Sequence, residues 1–232
     1  MAATYDLLPQ NSLTPDIPPD FPWPDGFSFV SHLNVTDKVL FFKETSFAGL
    51  IGRSDVEDLV IILGTHNPLE WIEDFEGNPE SYTTADGCAC QVEHGFHQFY
   101  QEITVRMPTP IALTAWMAIQ SRGTRPAIII GHSLGAACGG IVSADAYAPR
   151  YVLFAMPKWG DIVGSKHLRD KGRAGSGVPR NVQDVVPMAP PLAIFQSVLP
   201  ESWFNSDMMG IPGGDSARHS MQDCYLAACA AS

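Results

Sequence analysis

The stretch Arg125-Pro-Ala-Ile-Ile-Ile-Gly-His-Ser-Leu-Gly-Ala136 decides how the rest of the chain is interpreted. Its apolar run, residues 128–130, is typical of a strand that is buried on both faces of a sheet. Ser133 then follows, enclosed by Gly131 and Gly135, and the small residues over 136–146 predict a helix packed closely on the sheet. A strand, a tight turn and a helix in this order are the context of a nucleophile elbow.

The residues beside Ser133 fit the chemistry of a nucleophile. A sharp turn leaves almost no room for neighbouring side chains, and glycines at 131 and 135 satisfy that condition. The N-terminal end of the following helix favours negative charge that develops near the serine. A glycine-rich turn with a helix-capping serine would have the same sequence pattern. The flanking strand and helix favour the catalytic interpretation of Ser133.

A serine hydroxyl needs a base, and this type of fold places serine, acid and histidine in that chain order. Of the seven histidines, only His167 and His219 follow Ser133. His219 precedes a predicted C-terminal helix, where a loop can fold back over the edge of the sheet. His167 lies in the basic stretch 166–171 and is interpreted as a solvated residue. His219 is therefore the favoured base.

The acid of such a triad must lie between the serine and the base. Asp184 follows a predicted strand over 178–184 and precedes Val185-Val-Pro187. A carboxylate at the carboxyl end of a neighbouring strand can reach the base, so Asp184 is the favoured acid. A turn-forming aspartate would have the same surroundings. Asp145 and Asp161 remain alternatives.

Two backbone N–H groups are needed to bind the oxyanion that forms during acyl transfer. One is predicted to come from Leu134, the residue after the nucleophile. The second must come from another strand end, and the apolar run 58–63, which ends in Gly64-Thr65, is suited to provide it. The hydroxyl of Thr65 is a further candidate donor, although it would also serve as the cap of a following helix.

The remaining sequence alternates between apolar runs and helical segments, which predicts an α/β fold with a mainly parallel central sheet covered by helices. We expect a single domain over 1–232. Its first 27 residues are proline-rich and are expected to run extended over the surface. The stretch 158–180 carries six of the fourteen basic residues and is interpreted as a solvated loop. The predicted elements are strands at 38–43, 46–53 (paired with 38–43 as a hairpin), 58–63, 125–130, 150–155 and 178–184, and helices at 94–107, 111–120, 136–146 and 221–230.

The composition, with 45% hydrophobic and 17% charged residues, is that of a folded globular protein. A net charge of −11 makes affinity for nucleic acid or an anionic membrane unexpected. No apolar run reaches eighteen residues, so no membrane-spanning helix is predicted. The N-terminus has no secretory-signal pattern, and we expect a cytoplasmic location. The cysteines lack the spacing of a metal site, so neither a metal nor a cofactor is expected.

Taken together, the motifs resemble the class 3 lipase family, the fungal-type triacylglycerol lipases, between about residues 58 and 226. Separate segments along the chain match in the correct order, with Glu93 replacing a histidine of the family pattern. The matching residues are Gly64, Thr65, Trp71 and Asp74, the segment 92–96, the elbow 131–136, the segment 154–160, the segment 183–191, and His219 through Tyr225.

This resemblance implies an α/β-hydrolase fold and a carboxylic ester hydrolase that uses Ser133, Asp184 and His219 without a cofactor. A phospholipase, a feruloyl-type esterase or an acyltransferase would use the same triad. An ester or lipid is the expected substrate. The family's lid corresponds to the short acidic segment 66–73. The apolar residues over 192–211 either fill the core or line an acyl pocket, and the predicted substrate-binding residues are Trp71, Phe195, Leu199 and Trp203.

Overall fold

Strands and helices alternate along most of the chain, as the sequence predicts. The computed structural model describes residues 4, 7–8, 12–36, 45–64, 77–197, 199–211 and 213–231. The strands of this part are β1 (Ser28–Thr36), β2 (Thr45–Arg53), β3 (Asp58–Ile62), β4 (Pro79–Thr83), β5 (Ala89–Glu93), β6 (Ile103–Val105), β7 (Ile111–Ala112), β8 (Ala127–His132), β9 (Arg150–Phe154), β10 (Val178–Asn181) and β11 (Glu201–Phe204). The helices are α1 (His94–Glu102), α2 (Leu113–Arg122), α3 (Leu134–Asp145), α4 (Ile162–Lys171), α5 (Asp215–His219) and α6 (Ala227–Ala231), with a 3-10 turn at Val186–Met188 and a π-helical segment at Met221–Leu226.

The central sheet has the strand order β7-β6-β1-β2-β3-β8-β9. Strands β3, β8 and β9 run parallel, whereas the other neighbouring strands pair antiparallel. The sheet is therefore mixed, and the expectation of a mainly parallel sheet is correct only for this three-stranded part. Strand β10 continues the parallel part, because the N–H groups of Leu153 and Ala155 on the β9 side donate to the carbonyls of Gly177 and Pro179 at 3.1 Å each. The carboxyl ends of β3, β8, β9 and β10 therefore lie along one edge.

Both faces of the sheet are covered, which confirms the predicted α/β fold class. In β3, Val60 and Ile62 point into a core that they share with α1, α2 and α3. Leu59 and Ile61 point to the opposite face and contribute to a second core. Side chains of a strand alternate between the two faces of a sheet, so an uninterrupted apolar run is what a doubly covered strand requires.

Within the described residues, the second face is covered by the two terminal parts of the chain and by no long helix. The proline-rich N-terminal segment places Phe21, Trp23 and Phe27 against the second core. The segment is also fixed by hydrogen bonds to β1, where the side-chain amide of Asn34 donates to the carbonyl of Leu13 at 2.9 Å. A third cluster, formed by β9 and the π-helical segment, covers the rest of this face.

Several local predictions differ from the structure. The helix predicted over 94–107 ends at Glu102, because β6 instead pairs with β1. Strand β2 pairs with β1 and β3, whereas its predicted partner, 38–43, lies outside the described residues. The basic stretch 158–180 is not a loop, since α4 and the start of β10 form within it. No helix within the described ranges is long and apolar enough to cross a membrane.

Candidate active site

Ser133 occupies a strained turn between β8 and α3. Its backbone angles are φ 58° and ψ −128°, in the positive-φ region that residues with a side chain rarely adopt. The turn is held in place because the N–H of Ser133 donates to the carbonyl of Phe154 at 3.0 Å, while its own carbonyl accepts from Ala136 at 2.9 Å. Such strain persists only where the surrounding structure enforces it, and it is concentrated at functional sites.

Close backbone contacts around the turn explain why glycines flank it. A Cβ atom on Gly135 would overlap the carbonyl oxygens of Ile62 and Leu63 at the end of β3. A Cβ atom on Gly64 would lie 2.8 Å from Cβ of Ser133. The end of β3 is therefore packed directly beside the serine, where the sequence predicts an oxyanion-binding turn.

Asp184 and His219 form a buried hydrogen-bonded pair at the same edge of the sheet. The Nδ1–H group of His219 donates to Oδ2 of Asp184 at 2.8 Å, and the two side chains are 2% and 1% exposed. Asp184 is positioned by the turn after β10, where its N–H donates to the carbonyl of Asn181 at 3.1 Å. With Nδ1 occupied, a neutral His219 carries its lone pair on Nε2, which is the arrangement of a general base.

Neither reacting atom has another hydrogen-bond partner within the described part of the chain. Oγ of Ser133 and Nε2 of His219 are both buried, and no bond is formed between them. Catalytic hydrogen bonds are often long in unliganded sites and tighten when substrate is bound. The serine proton and the imidazole lone pair are therefore not engaged by competing groups of the described residues.

Tyr225 and Val186 complete the surroundings of the Asp184 carboxylate. The Tyr225 hydroxyl donates to Oδ2 at 2.8 Å, and the N–H of Val186 donates to Oδ1 at 3.0 Å. Burial, together with the charge of Asp184, raises the pKa of Tyr225 well above its usual value, so the phenol stays protonated as a donor. Together with the bond from His219, the carboxylate therefore accepts three hydrogen bonds, which fix its position.

Asn181 forms hydrogen bonds with the residues that surround Asp184 and His219. Its N–H donates to the Tyr225 hydroxyl at 3.1 Å, and its side-chain amide donates to Oγ of Ser206 and to the carbonyl of Arg218 at 3.0 and 3.2 Å. The last of these bonds reaches the residue before His219. Asn181 therefore connects the strand that precedes the acid to the segment that carries the base.

His132 directly precedes Ser133 in the chain and contacts His219. It is the last residue of β8, and its Nε2–H group donates to the main-chain carbonyl of His219 at 2.8 Å. The two imidazole rings are 4.8 Å apart at an angle of 34°. Burial, with a smaller contribution from His219, lowers the pKa of His132 to about 3, so its imidazole is neutral at ordinary pH.

The alternative base lies elsewhere in the fold. His167 is on α4, where its Nε2 is 3.0 Å from a carboxylate oxygen of Asp86. The same carboxylate binds Lys171, which also donates to the carbonyl of Ala144 near the C-terminal end of α3. Ser133 directly precedes the N-terminal end of α3. Because this helix has twelve residues, its two ends are roughly 16 Å apart.

Asp145 and Asp161, the alternative acids, have structural partners of their own. Oδ2 of Asp145 accepts hydrogen bonds from the hydroxyls of Tyr82 and Tyr100 at 2.6 and 2.9 Å. Asp161 caps α4 by accepting from the N–H of Gly164 at 2.8 Å. Of the candidate acids, the structure brings Asp184 to His219.

Comparison with known protein families supports what this geometry indicates. The family model described as lipase (class 3) matches residues 59–194, which include β3, the elbow and Asp184. The chain belongs to the class 3 lipase family.

Several known proteins are similar to this chain over most of its length. Phospholipase A1-IIgamma of Arabidopsis thaliana is 24% identical, and the match covers 86% of this chain. The chain spans about half of that relative, 52% of its length. The triacylglyceride lipase of Rhizomucor miehei has a TM-score of 0.57 at 20% identity, with 80% of this chain and 69% of that chain covered. The LIP2 lipase of Yarrowia lipolytica gives 0.58 at 16% identity, with 82% and 73% covered. At these identities the structures support the α/β-hydrolase fold.

Two of the predicted substrate-binding residues, Phe195 and Leu199, are buried. Phe195 is 1% exposed and forms a bridge with Asp161, and Leu199 is 5% exposed within the main core. Trp203, in contrast, is 49% exposed on β11 and packs against the guanidinium of Arg180 at 5.6 Å. Within the described residues, no hydrogen bond, bridge or ring contact joins these three residues to Ser133, Asp184 or His219, and their role in substrate binding stays a prediction.

The oxyanion residues are described only in part. Leu134 is the first residue of α3, and the first N–H groups of a helix have no partner within it. Thr65, Trp71 and the predicted lid over 66–73 lie outside the described residues. Glu93, which replaces the family histidine, caps α1 by accepting from the N–H of Phe96 at 2.9 Å.

Sequence reasoning missed the supporting roles of His132, Tyr225 and Asn181. In the sequence, His132 is part of the elbow pattern and Tyr225 is the end of a family motif. Their contacts join residues that are 87 and 41 positions apart in the chain. A polar residue within an otherwise apolar strand end, such as His132, is the one signal in the sequence that points to such a contact.

Proposed function

We propose that this chain is a carboxylic ester hydrolase with Ser133 as nucleophile, His219 as general base and Asp184 as the acid that orients it. The observation that carries the proposal is the 2.8 Å bond between His219 and Asp184, formed beside a serine in a strained elbow. A buried acid, a correctly oriented imidazole and an activated serine form the recurring apparatus of acyl transfer.

In the proposed reaction, His219 accepts the proton of Ser133 at Nε2 while Oγ attacks the ester carbonyl. Asp184 stabilises the resulting imidazolium, which then protonates the leaving alcohol. An acyl-enzyme on Ser133 remains, and a water molecule activated by His219 hydrolyses it to the free acid. The chemistry is complete with these side chains and needs neither metal nor cofactor.

The oxyanion of the tetrahedral intermediate is assigned to backbone donors of Leu134 and Thr65. The position of Leu134 at the start of α3 supports the first assignment. The close contact of Gly64 with Ser133 supports the second, because it places the chain that leads to Thr65 beside the nucleophile. Removing one such donor typically lowers turnover by roughly 10²- to 10³-fold.

A phospholipase is the second candidate for the same site. It is favoured by the similarity to Phospholipase A1-IIgamma, which covers most of this chain. Both reactions hydrolyse a carboxylic ester, so the triad alone does not separate them. The substrate class is therefore an ester or a lipid ester.

Hydrolysis of matched substrates by the purified chain tests the proposal. The panel consists of p-nitrophenyl esters of increasing acyl length, an aryl ester and a phosphatidylcholine. We expect ester hydrolysis by the wild type, with Ser133→Ala and His219→Ala inactive and His167→Ala close to wild type. Activity of Ser133→Ala near that of the wild type contradicts the proposal. The most rapidly cleaved substrate decides between an esterase and a phospholipase. A cytoplasmic location stays a prediction from the N-terminal sequence.

A further inference from the structure

The nucleophile and the base are carried by distant parts of the chain, and one residue connects them. Ser133 follows β8, whereas His219 is the last residue of α5, a helix of only five residues. The carbonyl of a C-terminal helical residue has no partner within its own helix. In this protein that carbonyl accepts the Nε2–H of His132 at 2.8 Å.

We infer that His132 is a positioning residue that sets the distance between Ser133 and His219, an inference that rests on the proposed function. Its main chain is bonded directly to the nucleophile, and its side chain holds the backbone of the base. The Asp184 carboxylate holds the imidazole ring of His219 by a hydrogen bond to Nδ1. His219 is thus held at two points, one on its main chain and one on its imidazole.

Packing restricts His132 to this orientation. The residue is 6% exposed, with its ring 4.8 Å from that of His219 and 6.0 Å from that of Tyr225. A buried ring between two others has few alternative rotamers. The hydrogen bond is therefore supported by packing, as a positioning contact requires.

The neutral state of His132 also suits the reaction. During acyl transfer His219 becomes a cation, and a second cation 4.8 Å away would oppose it. Burial lowers the pKa of His132 to about 3, so its ring stays neutral throughout the pH range in which an imidazole base operates. A neutral imidazole still keeps one N–H donor, which is the Nε2–H that binds the His219 carbonyl.

Two variants separate the hydrogen bond from the packing. His132→Phe keeps a ring of similar shape and loses the donor, whereas His132→Gln loses the ring and places an amide N–H near the position of Nε2. Rates on a p-nitrophenyl ester are measured below the melting temperature of each variant. We expect His132→Phe to lower kcat by roughly 10- to 100-fold with KM within about twofold, because small displacements of reacting groups are costly. His132→Gln is expected within about threefold of the wild type.

A second measurement needs no substrate. The downfield proton NMR resonance of the hydrogen bond between His219 and Asp184 reports the position of the base in the resting protein. It is expected to persist in His132→Gln and to shift or disappear in His132→Phe. If the wild type cleaves no ester, the proposed function fails, and this resonance still decides whether His132 positions His219.

The inference is overturned by either of two results. One is a His132→Phe variant with the kcat and the downfield resonance of the wild type. The other is an equal loss of kcat in the Phe and Gln variants, since the donor would then be irrelevant. A melting temperature measured for each variant shows that a lower kcat does not come from unfolding.

Discussion

Replacing Tyr225 by phenylalanine removes one hydroxyl from beneath the triad and leaves the aromatic ring in place. The ring has edge contacts with Phe154 and Phe204 that the substitution preserves. The hydroxyl, in contrast, donates to Asp184 at 2.8 Å and accepts from the N–H of Asn181 at 3.1 Å. Both partners are buried, at 5% and 0% exposure, so water does not replace the lost bonds.

The expected loss of stability in Tyr225→Phe follows from these two hydrogen bonds. A hydrogen bond to a charged group contributes about 1.5–3 kcal/mol, and a buried N–H left without a partner costs about 1–3 kcal/mol. Because the two effects share one hydroxyl, we expect Tyr225→Phe to lower the free energy of unfolding by about 3 kcal/mol. For a chain of this size the melting temperature should fall by about 6–12 °C. We also expect kcat to decrease by roughly 3- to 10-fold, because Asp184 loses one of its donors.

Tyr151→Phe is the matched control for this experiment. Tyr151 is as deeply buried as Tyr225, at 0% exposure, but its hydroxyl has no hydrogen-bond partner among the described residues. Its removal should leave stability unchanged or slightly higher. Urea and thermal unfolding of both variants test the reasoning. A Tyr225→Phe variant that loses less than about 1 kcal/mol, or no more than Tyr151→Phe does, would refute it.

Three further predictions concern the residues around the triad. Burial lowers the pKa of His132 to about 3, whereas an imidazole in the unfolded chain titrates near 6.5. The stability that comes from the neutral imidazole is therefore complete above pH 6.5 and is lost as the pH falls toward 3. Between pH 7 and pH 5, the free energy of unfolding measured in urea should fall by about 2 kcal/mol more in the wild type than in His132→Gln. Gly64→Ala should lower kcat at least roughly tenfold, because the new Cβ would lie 2.7 Å from the carbonyl oxygen of His132, whereas Gly177→Ala, with its nearest contact at 3.6 Å, should not. Asp184→Asn should lower kcat by roughly 10⁴-fold, the value known for the equivalent change in a serine-protease triad, while Asp145→Asn should reduce the melting temperature and leave the kcat of the folded enzyme unchanged; the reverse pattern would show that the acid is misassigned.

The parallel strands and the elbow could be predicted from the sequence because they depend on burial and on local steric fit. The runs 58–63, 125–130 and 150–155 are apolar on both sides of the strand, and β3, β8 and β9 form there. The glycines at 131 and 135 are required by contacts within a few residues or with the adjacent strand end. Such local conditions can be recognised in the amino-acid sequence.

Other elements depend on partners that are distant in sequence. Residues 103–105 continue the apolar pattern of α1, but they form β6 because β1 offers an edge to pair with. Strand β1 itself contains Ser31, His32 and Asn34, and the N-terminal segment supplies acceptors for the last two. Neither outcome is visible in a short window of sequence, since tertiary pairing overrides local preference.

The three residues of the proposed triad can be selected from the sequence by type and order, whereas the contacts around them cannot. Ser133, Asp184 and His219 match a known chemical requirement, and the chain offers few alternatives. The bond from His132 to His219, in contrast, is directed to a main-chain carbonyl. Every residue has such a carbonyl, so the sequence contains nothing that would select this one.

Ser133 is predicted to become acylated during turnover, and peptide mapping by mass spectrometry detects this acylation directly. The wild type and Ser133→Ala are treated with a fluorophosphonate and, separately, with a p-nitrophenyl ester quenched by acid, and then digested. We predict one modified serine, Ser133, in the wild type and no adduct in Ser133→Ala. A stable adduct on a different serine, or ester hydrolysis that continues at the wild-type rate without an adduct on Ser133, would contradict the account.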